Sequence, residues 1–257
     1  MIENRINIIS NFSELSLFLD KYKEFSQQIE SHKISHYKAT ISGLLRGYSS
    51  LKNLISSIDK KEASNYNIFS ILKISAAEVK THTPFIRNLL DPAGTHGQAD
   101  LFLSSFINKF IPGDKKKNFI LPEKNEYHVE KEKPIVNGRI DIYIQSINRN
   151  KKFGVIIENK LYAGDQYMQL CRYYNYINQL EYNDQQIMMC YLTIDGNDPS
   201  HNSIDKELMT DLKCRNILRN LSYKNDIKNW LEDLISRIQA DKVKYQIEQY
   251  LGTIKNF

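Results

Sequence analysis

The chain has 257 residues, of which 41% are hydrophobic and 25% charged, and lysine and arginine exceed aspartate and glutamate to give a net charge of +5. That composition excludes a disordered polyelectrolyte and leaves enough apolar residues for a sizeable core. The mild basic excess is compatible with a nucleic-acid partner without demanding one. The opening "MIENRINIISNF" lacks the apolar stretch of a signal peptide, and no run of about 18 apolar residues marks a membrane span. Cys171, Cys190 and Cys214 are scattered, with no CxxC pair. They support neither a structural zinc site nor a disulfide framework. The expectation is a cytoplasmic protein whose reduced thiols pack as small hydrophobes.

Residues 1–62 read as an N-terminal helical pair, with leucine and isoleucine at helical spacing in "FSELSLFLDKYKEFSQQIE" and "ATISGLLRGYSSLKNLISSI". The stretch "NYNIFSILKISAAEVKTHTPFIRNLLDP" gives two further helices meeting at Thr83-Pro84, where threonine caps and proline takes the first helical position. After the loop "LLDPAGTHG", "QADLFLSSFINKFI" forms an amphipathic helix that ends in the basic turn "PGDKKKN". The period then switches. "EYHVEKEKPI", "GRIDIYIQSI" and "KFGVIIENKL" alternate or run apolar and are separated by "VNG" and "NRNK", which reads as a three-strand meander. A helix from about Asp165 to Leu180 and a strand in "QIMMCYLTID" follow, and from Ile204 the chain reads as helical to its end. The expected class is α/β: a core over residues 63–200, with helical additions at 1–62 and 201–257.

One stretch of the meander carries the chemistry. The strand "GVIIENK" is apolar until it ends on Glu158, Asn159 and Lys160. Alternation in "RIDIYIQ" puts Ile140, Ile142 and Ile144 on one face and Asp141, Tyr143 and Gln145 on the other. If the hairpin closes over "NRNK", Asp141 lies opposite Glu158. Two opposed carboxylates repel unless a cation or a proton lies between them. A hard divalent ion, Mg²⁺ or Mn²⁺, resolves the conflict with Asp141, Glu158 and the carbonyl of Asn159 as ligands. Lys160 would orient the attacking water or offset charge on the phosphate. As a bare pattern, E-x-K is more often a solvated surface pair. What sets this one apart is its place at the end of an apolar strand, in phase with an aspartate.

In "DQYMQLCRYYNYI", Gln166, Gln169 and Tyr173 fall at spacings of three and four and so share a helical face. Their amide and phenol groups suit carboxylate, water or phosphate, although an exposed polar stripe has the same spacing. Arg172 is placed to contact a backbone phosphate or to remain a surface charge. Tyr173, Tyr174 and Tyr176 read as packing against a sheet rather than stacking on bases.

Asp141, then Glu158-Asn159-Lys160, then Gln169-x-x-x-Tyr173 resembles the PD-(D/E)XK nuclease superfamily, whose core runs helix, three strands, helix, strand. The segments "EVKTHTPFIRNLLDPAGTHG", "RIDIYI", "IIENKLYAGDQYMQLCRYY" and "LSYKNDIKNWLEDL" are similar to its bacterial branch of uncharacterised nucleases, over most of the chain from about Asn65. The resemblance implies a catalytic set of Glu78, Asp141, Glu158, Lys160, Gln169 and Tyr173. Glu78 matches the glutamate of the first core helix that helps to hold metal or water. His82 lies one turn on, with a helix-end hydrogen bond as its alternative role. His96 either touches the site or stabilises its loop, and Asp91 reads as a cap or turn residue. The superfamily's proline before the aspartate is replaced by Ile140, which bears on the motif's name more than on the metal site. A cleft lined by Lys160, Arg139 and the run Lys115, Lys116 and Lys117 would attract a polyanion, although that run also reads as a solvated turn.

The leading expectation is a Mg²⁺-dependent DNA endonuclease serving defence against foreign DNA, acting as a homodimer or with an activating partner. The rivals are cleavage of RNA or single strands, a non-catalytic binding or scaffolding subunit that keeps the fold, and an all-helical interaction protein. The strand-period middle segment speaks against the last. No P-loop is present, so no ATP-driven translocation is expected.

Overall fold

The computed structural model describes residues 2–63, 66–121, 126–148 and 150–257, and the side chains of 2–14, 61 and 62 are not among those described. Arg149, in the expected "NRNK" turn, lies outside the described residues. The chain divides into two compact units, Met1–Tyr66 and Asn67–Phe257.

The first unit is one helix, α1, running from Ile2 to Glu62. The expected helical pair is therefore a single element. Its apolar stripe steps five residues between Ile29 and Ile34, which mimics a break. The intervening Glu30-Ser31-His32-Lys33 contains neither glycine nor proline, so the backbone ladder continues through it.

In the second unit a five-stranded sheet has the order β1-β2-β3-β4-β5. Its strands are Tyr127–Ile135, Gly138–Ser146, Gly154–Lys160, Ile187–Thr193 and Leu218–Ser222. The first three form an antiparallel meander, and β4 and β5 join it in parallel. The strand β5 lies in the segment read as wholly helical. Its five residues, "LRNLS", carry too little apolar alternation to register as a strand, and pairing with the buried β4 decides their conformation.

Helices cover both faces of the sheet. Against one face pack α3 (Thr83–Leu90), α4 (Leu101–Phe110), α8 (Lys228–Leu234) and α9 (Asp241–Ile254). There Ile142, Ile144, Val155, Ile157 and Leu192 meet Phe102, Phe106 and Trp230. The other face, with Tyr143, Ile156 and Met189, is covered by α6 (Gln169–Gln179) and α7 (Lys206–Cys214). All seven residues of β3 are buried, as expected for a central strand clothed on both sides. The short helices α2 (Ile68–Ile71) and α5 (Lys116–Phe119) complete the unit.

Four local readings change. Ile140 packs with Tyr143 and Ile156 instead of with Ile142 and Ile144. The β1–β2 ladder skips the step between its Lys131–Ile142 and Lys133–Ile140 pairs, where Glu132 adopts φ +55°. Thr83 is the first residue of α3 rather than its cap, with Pro84 following in the first turn. Lys115 is fully buried, and its Nζ donates to the Asn216 carbonyl at 2.8 Å, so it is not part of a solvated turn. Cys171 and Cys190 are buried as expected, whereas Cys214 at the end of α7 is exposed.

Candidate active site

Glu158, Asn159 and Lys160 form the C-terminal end of β3, and Asp141 stands across from Glu158, one step beyond the last ladder pair Ile142–Ile157. At that step Asp141 Oδ2 accepts from the Asn159 amide at 2.9 Å, where a regular ladder would use a carbonyl. The helix α6 presents Gln169 and Tyr173, one turn apart, to the same place. Glu158 Oε1 accepts from Gln169 Nε2 at 2.7 Å and pairs with Lys160 Nζ at 3.0 Å. Its Oε2 lies 2.9 Å from Tyr173 Oη, which is also 2.6 Å from the Arg139 carbonyl and accepts from Gln169 Nε2 at 2.9 Å.

Glu158 is 1% exposed, and Lys160 and Gln169 are nearly as buried. Burial, reinforced by the charge of Asp141, pushes the Glu158 carboxyl up to about 8. Burial also raises Asp141, to about 6, against the opposing pull of the Asn159 amide and of Lys160. For Lys160, burial is the largest single influence and acts to lower the pKa, but the carboxylates of Glu158, Glu78 and Asp141 together outweigh it and the net shift is upward. The carboxyl is the more deeply buried partner, so it yields its charge first. A neutral Glu158 suits the network: its hydroxyl donates to Tyr173, which then donates to the Arg139 carbonyl.

Glu78 approaches from another layer. It opens a π-helical turn, Glu78–His82, that leads into α3, a distortion frequent at functional sites. Its Oε2 accepts from the Leu161 amide at 2.6 Å, just past the end of β3. The charge of Glu78 acts on both Asp141 and Lys160. The structure thus brings together Glu78, Asp141, Glu158, Lys160, Gln169 and Tyr173. Beside them a cleft of about 250 Å³ is lined by Lys160, Tyr191, Thr193, Asp195 and Asp198, among others.

Asp141 and Glu158 offer hard oxygen donors. Among the described residues no group of three His, Cys, Asp or Glu is spaced as a ready-made metal cage. Such a donor set fits a cation that keeps most of its coordination as water and substrate oxygen, which is the habit of Mg²⁺.

The side chains of the remaining predicted residues lie apart from this cluster, although the Gln166 amide donates to Gln169 Oε1 at 3.2 Å and the Arg139 carbonyl accepts from Tyr173. Gln166 precedes α6, and Met168 between them adopts a left-handed φ of +53°, so the three-residue spacing to Gln169 no longer means a shared face. Gln166 Oε1 instead accepts from Arg172 at 3.2 Å, and Arg172 also donates to the Tyr167 carbonyl. Arg139 is exposed, with its guanidinium 3.3 Å from Glu132. His82 is fully buried between Tyr250 Oη and the Ser75 carbonyl, each at 2.8 Å, and burial lowers its pKa. His96 bonds the Asp91 carbonyl at 2.9 Å and accepts from the Gln98 amide, holding its own loop. Asp91 pairs with Arg87 at 2.9 Å and accepts from the Ala93 amide.

Sequence reasoning missed three supports. The Asn159 side chain turns to the opposite face, donating to Thr83 Oγ1 at 3.0 Å and accepting from Tyr223 Oη at 2.9 Å. Tyr191 neighbours Glu158 on the parallel strand β4 and donates to Asp165 Oδ1 at 2.8 Å. Asp165 also accepts from the Ser200 amide at 2.8 Å, tying the approach to α6 to the loop after β4. The period of β4 carried a signal for Tyr191. Nothing local points to Tyr223.

The three-layer core thus carries a carboxylate and a lysine at the end of its central strand, with a second carboxylate on the neighbouring β2. A family model described as the PD-(D/E)XK nuclease superfamily matches residues 66–252, and the chain belongs to that superfamily. No curated protein and no solved structure matches the chain significantly. Members of the superfamily typically use divalent metals and act on nucleic acid. Among the described residues, no helix is long and apolar enough to cross a membrane.

Proposed function

We propose that this protein is a divalent-metal-dependent endonuclease that hydrolyses phosphodiester bonds of DNA, with Mg²⁺ or Mn²⁺ as cofactor. The observation that carries the reading is Glu158, buried beside Asp141 and held at once by Lys160, Gln169 and Tyr173. A purely structural carboxylate has no need of a second carboxylate nearby, and perturbed acids in a cleft are a mark of functional sites. When bound, the metal supplies Lewis-acid stabilisation of the phosphoryl charge and a more acidic water.

The chain's own residues do the rest. Asp141 and Glu158 would hold the ion, with the Asn159 carbonyl as a further oxygen and Glu78 steering water from the side of Leu161. Gln169 and Tyr173 fix the Glu158 carboxyl so that its oxygens do not rotate away from the ion. Lys160 keeps its proton at Nζ and offers it as a hydrogen-bond donor to the attacking water or to a non-bridging phosphate oxygen. The choice of DNA and a role in defence against foreign DNA follow what nucleases of this kind commonly do.

Cleavage assays on plasmid, linear duplex, single-stranded DNA and RNA, with Mg²⁺ or Mn²⁺ and with EDTA, test the proposal beside Glu158→Ala and Lys160→Ala proteins of verified fold. Metal-dependent cutting of DNA that vanishes in both variants supports it. Cutting of RNA alone moves the substrate. Nucleic-acid binding with no turnover under any metal makes the protein a binding subunit.

A further inference from the structure

The helix α1 carries a long apolar seam. From Ile34 to Ile58, eight large apolar side chains recur at spacings of three, four, three, four, three, four and three. Each of them is between 46% and 70% exposed. This is the a/d pattern of a coiled coil, kept without a miss over more than three heptads. The opposite side of the helix obeys the same period: Ser35, Ser42, Ser49 and Ser56 recur every seven residues, and all are exposed. The earlier stripe from Leu15 to Ile29 lies in a different phase, because the five-residue step to Ile34 turns the face by about 140°.

We propose that α1 is a dimerisation element that pairs, antiparallel, with α1 of a second copy of this chain along the seam from Ile34 to Ile58. The spacing of the seam is a palindrome, beginning and ending with three, so the same seam on a second copy fits it in reverse. Reversed on itself, Ile34 meets Ile58, Tyr37 meets Ile55, Ile41 meets Leu51, and Leu44 meets Tyr48. No position is left facing a polar partner. At the centre Leu45, beside the seam, meets Leu45 of the other copy. Gly47, whose missing Cβ has open space around it, lets the two backbones approach. Sixteen side chains exposed to this degree would remove on the order of 1,500 Å² from water, within the usual size of a specific interface. Soluble monomers rarely leave a contiguous apolar patch of that size uncovered.

The flanks make the pairing distinctive. In this register Lys38 of one copy faces Lys52 of the other. Salt that screens these like charges therefore tightens the dimer, the reverse of its effect on binding to a polyanion.

Sedimentation of the full chain across the micromolar range should give twice the chain mass, with self-association strengthening as salt rises. Leu44→Lys with Leu51→Lys should weaken it by at least about a hundredfold, while Ser42→Lys with Ser49→Lys on the far side leaves it intact. In a Cys214→Ser chain, Leu45→Cys should cross-link to its own copy on oxidation. A single chain mass throughout, a dimer that survives both seam lysines, or an intact dimer that salt weakens or Leu45→Cys does not cross-link overturns the proposal. Circular dichroism of each variant separates loss of pairing from loss of fold.

Discussion

The Gln169 amide lies 2.7 Å from Glu158 Oε1 and 2.9 Å from Tyr173 Oη, so one side chain at the start of α6 fixes both the central carboxyl of the site and the phenol that holds its other oxygen. Gln169→Ala is expected to lower kcat by about 10–100-fold, the usual scale for losing a group that orients a metal ligand. The fold should be retained, because α6 keeps Leu170, Cys171 and Ile177 in the core. Single-turnover cleavage against thermal melting checks both parts, and an unchanged rate removes Gln169 from the site.

Tyr173→Phe should show a different signature. It removes the hydroxyl that satisfies the Arg139 carbonyl and Glu158 Oε2 while leaving the ring in its buried place. Stability should fall by about 1–3 kcal/mol, the cost of leaving a buried polar group without its partner. The metal concentration for half-maximal activity should rise with it. Urea unfolding and a metal titration of the rate provide the two measurements.

The raised carboxyls set a pH dependence in the metal-free protein. Glu158 at about 8 and Asp141 at about 6 both stand above their ordinary values, so the folded state binds more protons than the unfolded state between those limits. Their contribution to stability is fully present below about pH 4 and is lost as pH rises through 6 and then 8. In EDTA, melting temperature should therefore fall between pH 5 and 9 by more in the wild type than in Glu158→Gln. Added Mg²⁺ should raise it most at the alkaline end, where both carboxylates are charged. A wild-type profile that matches the variant's contradicts the assignment.

Asn159→Ala is expected to damage the protein more than its place in the motif implies. It leaves the buried Thr83 Oγ1 without its Asn159 partner, at about 1–3 kcal/mol, and takes from the buried Tyr223 Oη one of its side-chain partners, Tyr250 being another. Tyr223→Phe should lose part of that stability while leaving the Asn159 amide, and hence Asp141, in place. Denaturation curves for the two variants, run beside cleavage rates, separate the side chain's role from the backbone's.

The parts of the site that were legible in the sequence are those set by short periods. Alternation on β2 and β3 paired Asp141 with Glu158, and a four-residue step on α6 paired Gln169 with Tyr173. Gln166 failed the same test because α6 starts at Gln169, after the left-handed Met168, and helical spacing has no meaning across that boundary. The side-chain contacts of Asn159 depend on Tyr223, 64 residues away. Likewise β5 exists because β4 offers it a free edge, and Lys115 is buried because the Asn216 carbonyl reaches it. Each is a property of the assembled layers, and no local pattern carries it.

The Asn159 amide closes β2 onto β3 through a carboxylate instead of a carbonyl. On the proposed reading, an ion that drew on Asp141 Oδ2 would compete for the bond that joins the two strands beyond Ile142 and Ile157. Strand pairing and occupancy of the site would then be two sides of one equilibrium, and the hydrogen-exchange rate of this single amide would be a built-in gauge of what the site holds, readable without substrate or turnover.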